Sequence, residues 1–456
     1  MRIIAPLTVL ANVRILVPAA VIGGVLAMPT LGGGGGPEDP AKRPAAQPHD
    51  SRFAPYASDE DHLWNRLHQA MFVREAPDRS RRVHSTDPLL YQGITRNLNG
   101  ELSFGSFFLL EGESQRRAIE LLDQFLAESG DQLIDNPLRR LFLQRDMWAA
   151  FDYAAWYPDD WVYHTRHESA ALALRTRLAK VIGRLVLSEH EFDALPDNYA
   201  LAVKSKQYPA AHDLDHPERL FLPADLFDPS GPWVRFHETT GVPMAQQHFE
   251  GAGGRAAHVI FLRLPGGRPA TEQYLRELNG ASVKQFPPGT MVAMIRRALA
   301  VNRSAKVRVT PVTELVQIRV YRRIPEDPKA NLHGDFGEQD VYEFVMDRTK
   351  LFAGQHGLRE VGPDDPAESF SRGVGEDPFD PKADRPIGKP EAQLKACIQC
   401  HQSPGVYSVM SMQRGLRGQR AEVFRTFDWD VEMNYTVRTK VKQFNWGLLQ
   451  GMLEAR

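Results

Sequence analysis

Between about Ser58 and Ser188 apolar residues recur three and four positions apart, the period of amphipathic helices packed on one side. In "DHLWNRLHQAMF" that spacing puts Leu63, Leu67 and Met71 on one face. In "SQRRAIELLDQFLAESG" it gathers Ala118, Ile119, Leu122, Phe125 and Leu126, with Gly130 as the stop. Asn136 followed by Pro137 is a cap and a first-turn proline, which predicts a helix through "LRRLFLQRDMWAAFDYAAWY". Thr165 and Glu168 have capping-box spacing ahead of "SAALALRTRLAKVIGRLVLS". Four helices in one layer are expected.

The period lapses between Pro196 and Pro232, where proline and aspartate predict a long irregular connection. Beyond it the segments "WVRFH", "AAHVIFLRLP", "TMVAMIRRALAV", "KVRVTPVTELVQIRVYRR" and "VYEFVMDRT" are β-branched or alternating. A helical stretch, "ATEQYLRELNG", lies between two of them. The expectation is a mostly antiparallel sheet. Residues 353–395 are rich in turn signals, and "NYTVRTKVKQFNWGLLQGMLEAR" predicts a closing helix with Val437, Val441, Phe444, Leu448 and Met452 on one stripe. The fold class expected is therefore α+β. The regions are a helical one over 58–195, a β-rich one over 196–352 and a C-terminal one over 353–456.

The first residues fit neither pattern. Arg2 and Arg14 precede an apolar run from Ile15 to Met28, and Val25-Leu26-Ala27 has the small-residue character of a signal-peptidase site. The run is about 14 residues where a bilayer span needs about 20. Residues 1–27 are read as an export signal and 28–57, with five consecutive glycines, as a flexible linker. The expected location is periplasmic or secreted, with membrane contact only if the signal is retained as an anchor. Among 456 residues the net charge is −2, and apolar and charged residues make up 42% and 25%. That balance is of a globular protein and gives no electrostatic footprint for nucleic acid.

Chemistry enters at "LKACIQCHQSPGVYS". Cys397 and Cys400 are the only cysteines in the chain, and His401 follows the second. Random placement would produce two cysteines three apart with a histidine next in fewer than about one chain in several thousand. C-x-x-C-H is the attachment pattern for c-type haem. Two thiols at this spacing can add to the two vinyl groups on one porphyrin edge, and the adjacent imidazole can then meet the iron. A disulfide, or a thiol–disulfide exchanger, would use the same two cysteines. An exchanger normally starts a helix after a strand, whereas this motif follows a loop rich in proline and aspartate. Zinc would want a fourth ligand, and no second cysteine pair supplies one.

"ACIQCHQSPGVYSV" resembles the haem-attachment segment of c-type cytochromes. The resemblance covers the motif and its immediate surroundings. It implies covalent haem c on Cys397 and Cys400 and His401 as the proximal iron ligand. The motif lies near the C-terminus, a departure from small cytochromes that puts their usual fold in doubt. Elsewhere, "LPDNYALAV", "LFDPSGPWV" and "FLRLPGG" resemble exported bacterial proteins of unknown function.

The second axial position has several candidates: Met410, Met412, Met433 and Met452 on the C-terminal side, and His333, His356 and Met346 upstream. Each has an ordinary core or surface role as its alternative. Arg414, Arg417 and Arg420 could pair with haem carboxylates or form a solvated basic turn. His212 and His216 in "HDLDHPER" could give half a metal site, and Asp335, Glu338 and Asp340 could take calcium, although EF-hand spacing is absent. No nucleophile motif is present. The function expected is one-electron transfer to or from a redox partner protein. The alternatives are a haem enzyme with an open axial site and a haem-free binding protein with a C-x-x-C disulfide.

Overall fold

The computed structural model describes residues 54–75, 82–84, 109–110, 112–155, 161–238, 254–277, 284–326, 335, 337–361, 405–409, 424–425 and 436–455. The chain divides into Met1–Pro48 and His49–Arg456, and the described residues all fall in the second unit.

Helix α1 (Leu63–Phe72) leads into a short hairpin of β1 (Val73–Glu75) and β2 (Arg82–His84). Helices α2 (Gly112–Ala127), α3 (Pro137–Ala155) and α4 (Trp161–Arg184) follow. These are the four expected helices, and their predicted faces are buried: Leu63, Leu67 and Met71 on α1, Ala118, Leu122 and Phe125 on α2. Asn136 caps α3 as its side chain predicts, accepting from the Arg139 amide at 2.9 Å. The predicted capping box at Thr165 is not one. Helix α4 begins four residues earlier, so Thr165 lies inside it, and Glu168 instead holds Arg175 at 2.6 Å. Helix α5 (Glu189–Asp193), opened by a true capping box between Ser188 and Glu191, precedes the connection expected to be irregular, and that connection contains α6 (Asn198–Ser205), capped by Asp197.

Six antiparallel strands form the main sheet in the order β3 (Val234–Arg235), β5 (Ala256–Arg263), β6 (Thr290–Val301), β7 (Val307–Arg323), β8 (Glu338–Met346), β9 (Leu358–Glu360). Apart from the short β4 (His237–Glu238), neighbours in sequence are neighbours in the sheet. Helix α7 (Gly267–Glu277) connects β5 to β6 and α8 (Arg348–Phe352) connects β8 to β9. The protein is thus α+β with an antiparallel sheet, as its patterning predicts.

One sheet face, carrying Val259, Phe261, Ile295, Val316, Ile318 and Phe344, shares a single hydrophobic core with the helices. Two side-chain amides lock the layers together by pairing with strand backbone. Gln144 of α3 accepts from the Val301 amide at 2.8 Å and donates to its carbonyl at 2.9 Å. Asn198 of α6 does the same to Thr313, at 2.7 and 2.9 Å. Thr313 borders a bulge in which Arg297 pairs with Thr313 and Arg296 with Leu315, leaving Glu314 unopposed. Such buried backbone groups need partners, and the amides supply them.

The other face builds a second, smaller core. Val234, Ile260, Leu262, Val292 and Met294 pack there with Tyr274 and Leu275 of α7 and with Val406 of α9 (Val406–Val409). Strand β10 (Phe424–Arg425) pairs with β4. The closing helix α10 (Phe444–Glu454) packs on α3 and α4. Its predicted stripe is only partly right. A break at Lys442 and Gln443 resets the helical phase, so Val441 and Phe444 are exposed while Trp446 and Leu449 are buried.

Candidate functional site

The second sheet face is the part of the described molecule that the cysteine motif adjoins in sequence, because Gly405 stands four residues after His401. Gly405 has φ +53°, and a Cβ there would run into the Gln285 amide. Gln285 turns that close approach into a bond, its Oε1 accepting from the Val406 amide at 2.8 Å. The Ser408 hydroxyl meets the buried Tyr321 hydroxyl at 2.5 Å and also donates to the Gly405 carbonyl at 2.8 Å. Burial raises the Tyr321 pKa, with the Arg319 charge and the Ser408 bond opposing, so the phenol stays neutral. A four-residue helix has little stability of its own. These side-chain bonds and the burial of Val406 hold it on the sheet.

Strand register identifies what else this face carries, since cross-strand partners share a face. Tyr321 lies opposite Thr290, Arg319 opposite Val292, Gln317 opposite Met294, and Leu315 opposite Arg296, which in turn lies opposite His258. Apolar positions thus sit beside a polar group of His258, Arg296, Gln317 and Arg319. All four are buried, His258 at 3% exposure. Lysine, arginine and ionised groups are seldom fully buried without partners. Arg296 is 3.6 Å from Glu314, which the bulge also directs to Arg145 of α3 at 2.5 Å. Arg145 donates further to the carbonyls of Arg255 and Leu299. Burial lowers the Arg145 pKa, with the Glu314 charge opposing.

Two other buried charge clusters lie in the helical layer. Asp146 accepts from the Tyr56 hydroxyl at 2.6 Å and from Arg348 at 2.8 and 2.9 Å, and lies 2.9 Å from His68 Nδ1. Burial alone would raise the Asp146 pKa, but the charge of Arg348 and the bonds from His68 and Arg348 hold it well below the ordinary carboxylate range. Asp152 accepts from Arg255 at 2.8 Å and from Lys440 at 3.3 Å, and Lys440 also lies over the Trp148 ring. Both clusters tie distant chain segments together.

Cys397, Cys400 and His401 lie outside the described residues, as do Met410, Met412, Met433, His333 and Arg414, Arg417 and Arg420. Of the remaining axial candidates, Met346 and Met452 pack against the core shared with the helices. His356 has both ring nitrogens engaged, with Gln207 at 2.9 Å and the Leu358 amide at 3.1 Å. His212 bonds Tyr342 at 2.8 Å while His216 lies 3.4 Å from Glu218, so the pair does not converge on one ion. Asp335 forms a double contact with Arg323 at 2.6 and 3.0 Å, which lowers its pKa to about 2; Glu338 joins the same arginine and Asp340 bonds Arg322 at 2.9 Å. These carboxylates neutralise arginines. Among the described residues no three His, Cys, Asp or Glu side chains are grouped to hold a metal ion, and no helix is long and apolar enough to cross a membrane.

Sequence reading missed the polar group on the second face. Its signal was available in "AAHVIFLRLP" and "TMVAMIRRALAV", where His258 and Arg296 interrupt otherwise apolar strands, but their opposition needs the register. No protein-family model, no curated protein and no solved structure matches this chain.

Proposed function

We propose that the protein is an exported mono-haem c-type cytochrome-like electron carrier. Cys397 and Cys400 hold haem c through two thioethers, and His401 is its proximal ligand. The observation that carries this reading is the C-I-Q-C-H stretch, which uses both cysteines of the chain at the attachment spacing. The docking of Gly405–Val409 supports it, because a covalent anchor gains from a rigid wall beside it.

The neighbouring face carries residue types that suit such a group, although its apolar side chains are already packed in the second core and Arg296 faces Glu314. Haem is a wide apolar plane with two carboxylates. The second sheet face offers Ile260, Leu262, Val292 and Met294 next to the buried guanidinium groups of Arg296 and Arg319. Arginine pairs with carboxylates through a planar fork of donors. When bound, the haem supplies one-electron Fe(II)/Fe(III) chemistry, with a potential set by axial ligand, hydrogen bonds and burial. The protein's part is to exclude water with the apolar positions, fix orientation with the arginines and present the helical layer to a redox partner protein.

The test is an absorption spectrum of the full chain produced with cytochrome c maturation in a periplasm, followed by a pyridine haemochrome assay. A haem band that survives acid–acetone extraction and titrates as one electron supports the reading. A folded, colourless product that loses two thiols on oxidation overturns it in favour of a disulfide-bearing binding protein. A high-spin ferric spectrum with peroxide turnover overturns the carrier role in favour of an enzyme.

A further inference from the structure

We infer that the cleft bounded by the α2–α3 connection, the end of α4 and the β6–β7 turn binds a small zwitterion, a free amino acid or a short peptide. Its carboxylate is taken by Arg184 and Arg303 and its ammonium by Asp131. The cleft has a volume of about 630 Å³, and Asp131, Asp135, Arg140, Arg184 and Arg303 line it. Small-ligand sites usually span about 300–1,000 Å³. None of these residues belongs to the C-terminal region that carries the cysteine motif.

The backbone around the cleft is fixed on three sides. Trp64 Nε1 donates to the Gly130 carbonyl at 2.7 Å, and Gly130 packs so closely on the Phe125 ring that a Cβ would overlap it, which places Asp131. Arg184 ends α4, and its guanidinium donates to the Leu126 carbonyl at 2.9 Å. The Arg303 amide donates to the Leu187 carbonyl at 3.1 Å and the Asn302 side chain donates to Glu189 at 2.9 Å, tying the β6–β7 turn to the chain just beyond α4. Arg140 completes the wall, neutralised by Glu191 at 2.6 Å.

The charges brought together here do not satisfy one another. Arg184 Nη1 lies 3.7 Å from Asp131 Oδ1, Arg140 Nη2 lies 3.7 Å from Asp135 and Arg303 Nη2 lies 4.0 Å from Glu191, each beyond hydrogen-bond distance. Among the described residues the Arg303 side chain has no hydrogen-bond partner, and Arg184 has donors beyond the one that Leu126 occupies. Asp131 Oδ1 is buried and accepts no hydrogen bond. Loose pairs near solvent contribute little to folding, so stability does not account for their convergence. A simple anion entering the cleft meets two carboxylates, and a simple cation meets three guanidinium groups. A ligand with both charges matches it. Its carboxylate takes charge-assisted bonds from Arg184 and Arg303, and its ammonium supplies the donor that Asp131 Oδ1 lacks.

The experiment is isothermal titration calorimetry of the full-length protein. The probes are the free L-amino acids, dialanine and trialanine, with inorganic phosphate, N-acetyl-trialanine and trialanine amide as comparators. At least one zwitterionic probe is expected to bind saturably at a single site, and whether it is an amino acid or a peptide identifies the source. Where a peptide binds, acetylation or amidation is expected to weaken it about tenfold or more, the loss of a bond to a charged group. Arg303→Gln and Asp131→Asn are expected to weaken the bound probe to a similar degree. Arg303 is exposed and makes no side-chain hydrogen bond, so its variant serves if Asp131→Asn does not fold.

Phosphate binding as tightly as any zwitterion, and weakened only in Arg303→Gln, overturns the inference in favour of a plain anion site. Blocked peptides that bind as well as free ones, or wild-type affinity in Arg303→Gln, overturn it as well. If no probe binds, the cleft is a solvated surface cluster and the inference falls. None of these results bears on haem attachment.

Discussion

Single side chains decide where charge is tolerated inside this protein. Asp146 is buried, yet its pKa is depressed by Arg348 and His68, so the folded state binds its proton less readily than the unfolded state. A carboxylate of this kind contributes stability above its unfolded pKa of about 4 and loses that contribution as pH falls below it. Urea midpoints should therefore drop steadily from pH 5 downward, and Asp146→Asn should flatten that dependence. The same substitution should cost about 3–5 kcal/mol at neutral pH, since it strands a buried arginine. A loss under about 1 kcal/mol would mean that Arg348 finds another partner. Sequence alone reveals none of this. Tyr56, His68, Asp146 and Arg348 are far apart in the chain, and each by itself reads as an ordinary polar residue.

At the scale of elements, propensity was most legible where one face of a long segment meets the core. The helices over residues 63–184 and the strands β5 to β8 are examples, because burial and period agree there. The short elements were less legible. Helix α6 is eight residues whose stability comes from the Asp197 cap and from the pairing of Asn198 with Thr313, a partner 115 positions away. The closing stripe failed at Gln443, where a break changed the helical phase. Helix α9 is the clearest case of tertiary support. Tyr321→Phe should remove its bond to Ser408 at a cost of about 1 kcal/mol and speed hydrogen exchange of the Val406 amide. Gly405→Ala should cost more, about 1–3 kcal/mol, because the residue has positive φ and its Cβ meets Gln285. Equal protection of Val406 in wild type and Tyr321→Phe would show that Ser408 contributes nothing to the docking.

For the whole molecule, one core joins the helices to one face of the sheet, so the two regions should unfold together. Circular dichroism at helical wavelengths and the fluorescence of Trp64, Trp148, Trp233 and Trp446 should report one coincident urea transition. Two separated transitions would mean that the layers are independent. The second sheet face is the surplus in this architecture. It places buried cations and an imidazole beside an apolar wall, on the side where the chain arrives four residues after its cysteine motif. The motif itself was legible from spacing alone, whereas the wall is visible only once strand register is known. The claim on which the functional account depends is covalent attachment, and the most direct test is mass spectrometry of the tryptic peptide Ala396–Arg414 from the matured protein. The account predicts that peptide with one haem bound through both Cys397 and Cys400, and no haem-bearing product from the Cys397→Ala/Cys400→Ala variant. The bare peptide, or one lighter by two hydrogens through an internal disulfide, would contradict it.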